Sequence, residues 1–421
     1  MSADDSHRRL DAIWRMESPR LLARLVRMCG SLDSAEELAQ DVLVAALERW
    51  PREGVPDNPA AWLMTAAKHR AIDHLRQRQM QARKQDQLAG EQQLHGADMQ
   101  GDAATWADED LGDDMLRLMF AACHPLLPVE SRVALTLRLL GGLGTAEIAR
   151  AFLQPEATVA QRIVRAKRSL AEARVAFEIP GKAERVARLD AVLEVIYLIF
   201  NEGHAATSGA EWMRPALCEE ALRLGRVLAG LQPKVPEVLG LLALMELQAS
   251  RIPARIRADG TPILLAEQNR AHWDPLQIRR GLGLLQRAER MAEADAPYVL
   301  QAALAACHAR ARRFEDTDWT AIAALYARLM RVAPSPVIEL NRAVAVGKAQ
   351  GAAAGLAIAD ALLGHKALRD YAPLPAVRAD LLVQLGRIEE ARTEFERAAA
   401  HTANERERAV MLARAANCGL A

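Results

Sequence analysis

Apolar residues return at intervals of three and four along most of this chain, and that period suits helices and excludes pleated strands. Leu21, Leu22, Leu25 and Val26 make one such face, Leu38, Val42, Ala45 and Ala46 a second, and Trp62, Leu63, Ala66, Ile72 and Leu75 a third. Composition agrees: 51% of the residues are apolar but only 4% are aromatic, and much of the apolar share is Ala and Leu. Side chains this small let helices approach closely and favour the helical backbone. The expected fold class is all-α. At roughly 150 residues per domain, 421 residues make two or three domains.

Charge divides the chain further. The total of 54 Lys+Arg against 54 Asp+Glu excludes a uniformly basic coat protein and an acidic, solvated, disordered chain. Residues 1–80 hold 12 charges of each sign, residues 81–115 hold 2 basic against 9 acidic, and residues 116–178 hold 9 basic against 5 acidic. The acidic stretch is rich in Gln, Gly and Asp and lacks apolar periodicity, so it reads as a flexible linker. The expected organisation is therefore a helical domain over 1–80, an acidic linker over 81–114, a second helical domain over 115–178 and a long helical tail over 179–421.

Cys29, Cys123, Cys218, Cys307 and Cys418 are widely spaced and form no C-x-x-C pair, as suits reduced thiols rather than a zinc or disulfide framework. The N-terminal residues are polar, and no apolar stretch approaches the roughly 18 residues of a membrane span. A cytoplasmic protein without membrane contact is expected.

Local signals place the helix ends. Gly30 stops the first face, Ser34 followed by Glu37 fits a capping box, and Pro59 opens the third helix. That helix carries Lys68, His69, Arg70 and Arg76 on its outer side. Cations near a helix C-terminus also serve as ordinary dipole partners.

The second domain contains GGLGTAEIARAFLQPEATVAQRIVRAKRSLAEAR. Thr145 is expected to cap a short helix, a tight turn spans Leu153 to Pro155, and a second helix starts at Glu156. Ile148 and Ala149 pack against Val159, Ile163 and Ala166, which describes a helix-turn-helix. Thr158, Gln161, Arg162, Arg165 and Arg168 then point away from that core, where side chains near the helix start meet base edges and later arginines reach phosphates. A plain αα-hairpin is the alternative. Leu153 is incompatible with positive φ, so the turn takes another backbone conformation.

The tail has a repeat grammar. In VRADLLVQLGRIEEARTEFERAAA, the small residues Ala379, Gly386, Ala391 and Ala398 fall where antiparallel helices approach, with Leu382 and Phe395 between them. This resembles a tetratricopeptide repeat, whose period is about 34 residues. Tyr326, Ala221, Ala243 and Ala303 fall at further repeat positions, and a helical solenoid is expected. Two polar groups stand outside the grammar: Asn201, Glu202 and His204, and then Arg255, Arg257, Asp259, Glu267, Asn269, Arg270, His272 and Trp273. They read as a brace for a non-repeat insertion, with a regulatory contact surface as the alternative. H-E-x-x-H, P-loop and G-x-S-x-G patterns are absent, so no catalytic residue, metal or cofactor is expected and the protein is read as a non-enzyme.

The words SAEELAQDVLVAALERW, PAAWLMTAAKHRAIDHLRQR and LPVESRVALTLRLLGGLGTAEIARAFLQPEATVAQRIVRAKRSL, in this order, resemble regions two and four of bacterial extracytoplasmic-function (ECF) sigma factors of the sigma-70 family. The resemblance implies an alternative sigma factor that binds core RNA polymerase through the β′ clamp helices and β flap and directs initiation at promoter DNA. It puts polymerase binding on Glu36, Glu37, Gln40 and Asp41. It puts the −10 element on Trp62, Lys68, His69, Arg70, Asp73 and Arg76, although the spacing of Trp62 also suits a core residue. The −35 element falls on Thr158, Gln161, Arg162, Arg165, Lys167 and Arg168. The linker, Asp98 to Asp114, would follow a nucleic-acid path through the polymerase. LEVIYLIFNEGH and ILLAEQNRAHWD resemble a sigma subgroup with a fused tetratricopeptide-like extension, which implies regulation by intramolecular contacts or by a protein on the solenoid. A helix-turn-helix regulator with a repeat sensor domain, which is not a sigma subunit, is the alternative function. A scaffold or enzyme with a chance hairpin is a third.

Overall fold

A computed structural model describes residues 3–89, 108–152, 154–206, 208–209, 211–257 and 260–418. Asp98, Leu153 and Asp259 lie outside these described residues. Among the described residues there are eighteen α-helices and one two-stranded pair, an all-α architecture. The chain forms two compact units, 1–195 and 196–421.

The first unit begins with α1 (Ala3–Cys29), α2 (Leu32–Glu53) and α3 (Pro59–Ala89). Leu21, Leu25, Val26, Leu38, Val42 and Leu63 are buried, at spacings that align them on inner faces. Each such side chain contributes roughly 1.5–3 kcal/mol through burial. Gly30 takes φ +66° and its N–H donates to Val26 O at 2.8 Å, closing α1 with a left-handed residue. The cap of α2 is Ser31, whose hydroxyl accepts from Ser34 N, so the helix starts earlier than the Ser34 capping box predicts. Asn58 caps α3 by accepting from Ala61 N at 3.0 Å.

Helix α3 continues to Ala89 and α4 (Asp108–Ala122) begins before residue 114, so both ends of the stretch read as linker are helical. Asp114, at the end of that stretch, is 1% exposed. Its carboxylate accepts from Arg24 at 2.8 Å and Arg117 at 2.7 Å and faces Arg27 at 3.5 Å. Gln and Gly in the sequence marked a tether; the buried ion cluster instead stitches α4 to α1. α5 (Val129–Leu139), α6 (Thr145–Ala151) and α7 (Glu156–Glu172) follow, and α8 (Lys182–His204) contains the division between the units.

The second unit runs through α9 (Pro215–Leu231), α10 (Pro236–Ala249), α11 (Pro275–Met291), α12 (Pro297–Arg310) and α13 (Trp319–Val332). It ends with α14 (Pro336–Gln350), α15 (Ala352–Ala361), α16 (Pro373–Gln384), α17 (Ile388–His401) and α18 (Glu405–Asn417). Proline opens six of these helices, where its missing N–H has no helical acceptor to lose. Small residues set the spacing. A Cβ on Gly355 would lie 2.6 Å from Ala343 O and 2.8 Å from the Cα of Gly347, so α14 and α15 touch through their backbones. Apolar contacts form successive clusters, one around Leu244, Leu285 and Val299, the next around Leu304, Ile322 and Leu329, and the last around Leu356, Leu382 and Phe395.

Two details differ from the expected repeat. Gly386 does not lie at a helix crossing; it makes the turn between α16 and α17 at φ +73°. The ends of the unit also meet: β1 (Ser208–Gly209) pairs in parallel with β2 (Ala403–Asn404). The fully buried Asn404 donates through Nδ2 to Ala206 O at 3.1 Å and Glu211 O at 2.8 Å. In an open solenoid each repeat touches its neighbours alone, whereas this clasp joins positions 198 apart.

Candidate nucleic-acid interface

Helix α7 has two faces with separate tasks. Val159, Ile163, Ala166 and Leu170 are buried, and Ile148 and Ala149 of α6 are buried with them. Between the helices, Gln154 N donates to Ala149 O at 2.9 Å and Pro155 caps α7 without a side-chain bond. Thr145 is the first residue of α6 and not its cap; Glu147 Oε2 accepts from Gly144 N at 2.7 Å in that role. On the other face, Thr158, Gln161, Arg165 and Arg168 are exposed. A buried apolar row on one side and hydrogen-bonding and cationic groups on the other match the division of labour in a recognition helix.

Arg168 pairs on the surface with Glu172 at 2.7 Å, and the remaining two candidates on α7, Arg162 and Lys167, are engaged with groups outside this helix. Arg162 donates to Gln154 Oε1 at 2.8 Å, bracing the turn. Lys167 Nζ donates to Asp33 Oδ1 and Glu36 Oε2, both at 2.7 Å, and Arg138 Nε lies 3.7 Å from Glu36 Oε1. Burial works against the Lys167 charge, but its hydrogen bonds to the two carboxylates outweigh it and raise the ammonium above its ordinary range. Asp33 and Arg138 were missed in the sequence, because nothing local marks an ion pair whose members are more than a hundred positions apart.

Helix α2 presents Glu37, Gln40 and Asp41 on its exposed side, while Glu36 is largely covered by the pairing with Lys167. Asp41 meets Arg70 of α3 at 3.1 Å, so the candidate polymerase-facing and −10-facing residues share an edge. His69, Asp73 and Arg76 are exposed, and Arg76 lies 3.7 Å from Asp73. Lys68 is partly buried on the same helix. Trp62 is half-buried, with its ring edge-on to the buried Trp50 at 5.5 Å. It is therefore anchored to the core while keeping part of its surface in solvent. The structure thus brings the three candidate sets into one unit, with Lys167 and Glu36 in direct contact.

Comparison with known proteins divides the chain in the same way. Residues 13–80 match sigma-70 region 2, and residues 117–170 match sigma-70 region 4. Residues 188–289 match a family of unknown function, DUF6596. An uncharacterized protein of Rhizobium meliloti (strain 1021) is 44% identical over 395 residues, covering 93% of this chain and 91% of the relative. A probable ECF RNA polymerase sigma factor, SigI, of Mycobacterium tuberculosis (strain CDC 1551 / Oshkosh) is 26% identical over 201 residues, covering 45% of this chain and 68% of the relative. Among the described residues, no helix is long and apolar enough to cross a membrane.

Proposed function

We propose that this chain, which belongs to the sigma-70 family and carries its regions 2 and 4, is an ECF-type sigma factor that directs core RNA polymerase to promoters with separate −10 and −35 elements. The observation that carries this reading is the exposed row Thr158, Gln161, Arg165 and Arg168 on the second helix of the hairpin, opposite its buried row. Thr158 and Gln161, one turn apart near the helix start, are suited to base edges of the −35 element, and Arg165 and Arg168 to phosphates. On α3, Trp62 offers a ring edge against which an unstacked −10 base can rest, and Lys68, His69, Arg70 and Arg76 supply positive charge to the displaced strand. Glu37, Gln40 and Asp41 form the polar face that we assign to the β′ clamp helices, and region 4 meets the β flap.

This reading gives the Lys167 contact a role. Glu36 belongs to the clamp-binding set and Lys167 to the DNA-binding set, and each neutralises the other in the form described above. Polymerase and promoter would then compete with that pairing, and loading requires it to open. We further assign the second unit, a tetratricopeptide-like helical module, to regulation of the sigma regions, through intramolecular contacts or a bound protein. Its own successive apolar clusters support an independent module.

Run-off transcription with purified core polymerase tests the whole reading. Promoter-dependent initiation is the expected result; DNA binding without initiation would instead make the protein a helix-turn-helix regulator. In a DNA-binding titration Arg165→Ala is expected to weaken binding about equally across −35 sequences and to reduce the salt slope by about 1, as loss of one phosphate contact requires. Deleting residues 196–421 should change promoter output, and identical output would remove the regulatory role.

A further inference from the structure

The polar groups that interrupt the repeat grammar of the tail form a cluster with an unusual charge balance. Arg251 follows α10, Arg255 lies four residues on, and Arg270 opens a short 3-10 turn before α11. Their acceptors are all neutral. Arg251 donates to Gln248 Oε1 at 2.9 Å and Gln268 Oε1 at 3.4 Å. Arg255 donates to His204 O at 2.6 Å, and Arg270 to His308 O at 2.7 Å, Ala311 O at 2.9 Å and Thr317 Oγ1 at 3.0 Å. Arg251 and Arg270 both lie over the ring of Trp273, at 5.4 and 5.0 Å.

No carboxylate among the described residues forms an ion pair with any of the three. Of the nearby acids, Glu315 and Asp316 favour the Arg270 charge from a distance without pairing with it, Asp316 being held by Arg313, while Glu267 is held by Arg257 and Glu202 by Arg214. At the same place four buried nitrogens have no hydrogen-bond partner: Trp273 Nε1, Arg270 Nε, His204 Nδ1 and His308 Nδ1. Trp273 is 4% exposed and Arg255 is 7% exposed. Burial pushes the Arg251 guanidinium down to about 9, with Arg255 and Arg270 pressing in the same direction, and burial pushes Arg255 down to about 10. Burial, with Arg251 and Arg270 adding to it, pushes His308 down to about 4.

Guanidinium groups stay charged, and buried cations without a counter-charge are costly. A structural brace would satisfy its arginines with carboxylates or leave them in solvent. This cluster instead gathers three guanidinium groups and leaves the Arg270 Nε–H and the Trp273 indole N–H unused, an arrangement suited to an anion. We propose that Arg251, Arg255 and Arg270, with the indole N–H of Trp273, form a binding site for a small, multiply charged oxyanion. The class comprises phosphate monoesters and polycarboxylates, which share the oxygen geometry that a guanidinium fork recognises. The site lies outside regions 2 and 4 and is independent of the transcriptional reading.

The test is isothermal titration of the full chain with inorganic phosphate and, separately, with citrate, at constant ionic strength set by sodium chloride. Saturable one-to-one binding of at least one anion is expected, and the tighter of the two identifies the source. Arg251→Gln and Arg270→Gln should each weaken it by about tenfold or more, while Arg279→Gln, on the exposed side of α11, should leave it unchanged. The anion should also raise the thermal midpoint of the wild-type chain and not that of Arg251→Gln, as binding to the native state alone requires. If Arg251→Gln does not fold, Trp273→Phe keeps an aromatic face beneath the guanidinium groups and removes the N–H together with the five-membered ring, and should weaken binding about threefold or more. No saturable heat with either anion, or equal affinity in the Arg and Trp variants, would overturn the proposal.

Discussion

Two clusters of three arginines lie inside this protein, and they are built in opposite ways. In the first unit Arg24, Arg27 and Arg117 surround one carboxylate, Asp114, which has lost nearly all its solvent. In the second unit Arg251, Arg255 and Arg270 gather around Trp273, and among the described residues they donate to carbonyls, amides and a hydroxyl. The first supplies its own counter-charge and joins α4 to α1; the second leaves donors unsatisfied. The contrast teaches that the count of buried cations says little. Whether a carboxylate stands among them separates a brace from a receptor.

Breaking the compensated cluster should have the largest effect. Asp114→Asn keeps the shape and removes the buried anion that Arg24, 6% exposed, meets at 2.8 Å. A loss of about 3–5 kcal/mol is expected, read from urea unfolding of the full chain by probes in residues 1–195. A loss below about 1 kcal/mol would mean that Asp114 does not hold the first unit together.

Acidification addresses the other cluster. His308 is held near 4 in the folded protein against an ordinary 6.5, and His204 is held well below 6.5. Between those values the unfolded chain binds protons that the folded chain refuses. The stability these histidines provide is complete above about pH 6.5 and lost as pH falls toward 4, by about 2–3 kcal/mol for His308. Thermal melts at stepped pH should show it, and His308→Phe should flatten the slope in that window. An unchanged slope would place the acid sensitivity elsewhere.

The smallest effect tests an intermediate case. Lys167 is partly buried between a covered carboxylate, Glu36, and an exposed one, Asp33. Lys167→Met is expected to cost about 1 kcal/mol of stability, because Arg138 at 3.7 Å still faces Glu36 and Asp33 is exposed. Its informative readout is hydrogen exchange in residues 31–37 and the affinity for core polymerase. Faster exchange with tighter polymerase binding supports a contact that opposes loading; unchanged affinity makes it a surface pair and nothing more.

The helix-turn-helix could be read directly from residue order. Its buried and exposed rows follow from a 3.6-residue period within seventeen positions of α7, and the region matches 13–80 and 117–170 contain the three quoted segments, two in the first and one in the second. Helix ends were less secure. Ser31 and Ser34 are both sound caps by type, and only the backbone conformation at Ser31, extended before the helix, selects between them. The acidic stretch misled at its ends, since Gln and Asp tolerate either helix or tether and the choice at Asp114 was made by arginines 90 positions away. In the tail, Arg255, Arg270, His204 and Trp273 stood out by type, but Arg251 and His308 did not, because α10 and α12 give no local sign that their ends converge.

Residue order alone settled the helical class, the position of the recognition helix and the places where prolines and Gly30 start or stop a helix, because period, cap chemistry and φ preference act within a few residues. Tertiary structure decided which charges meet. The pairing of Lys167 with Glu36, the burial of Asp114 among three arginines and the clasp of Asn404 on Ala206 and Glu211 all join distant positions. Coulomb and hydrogen-bond energies depend on distance and on lost solvent, and both quantities exist only once the helices have packed.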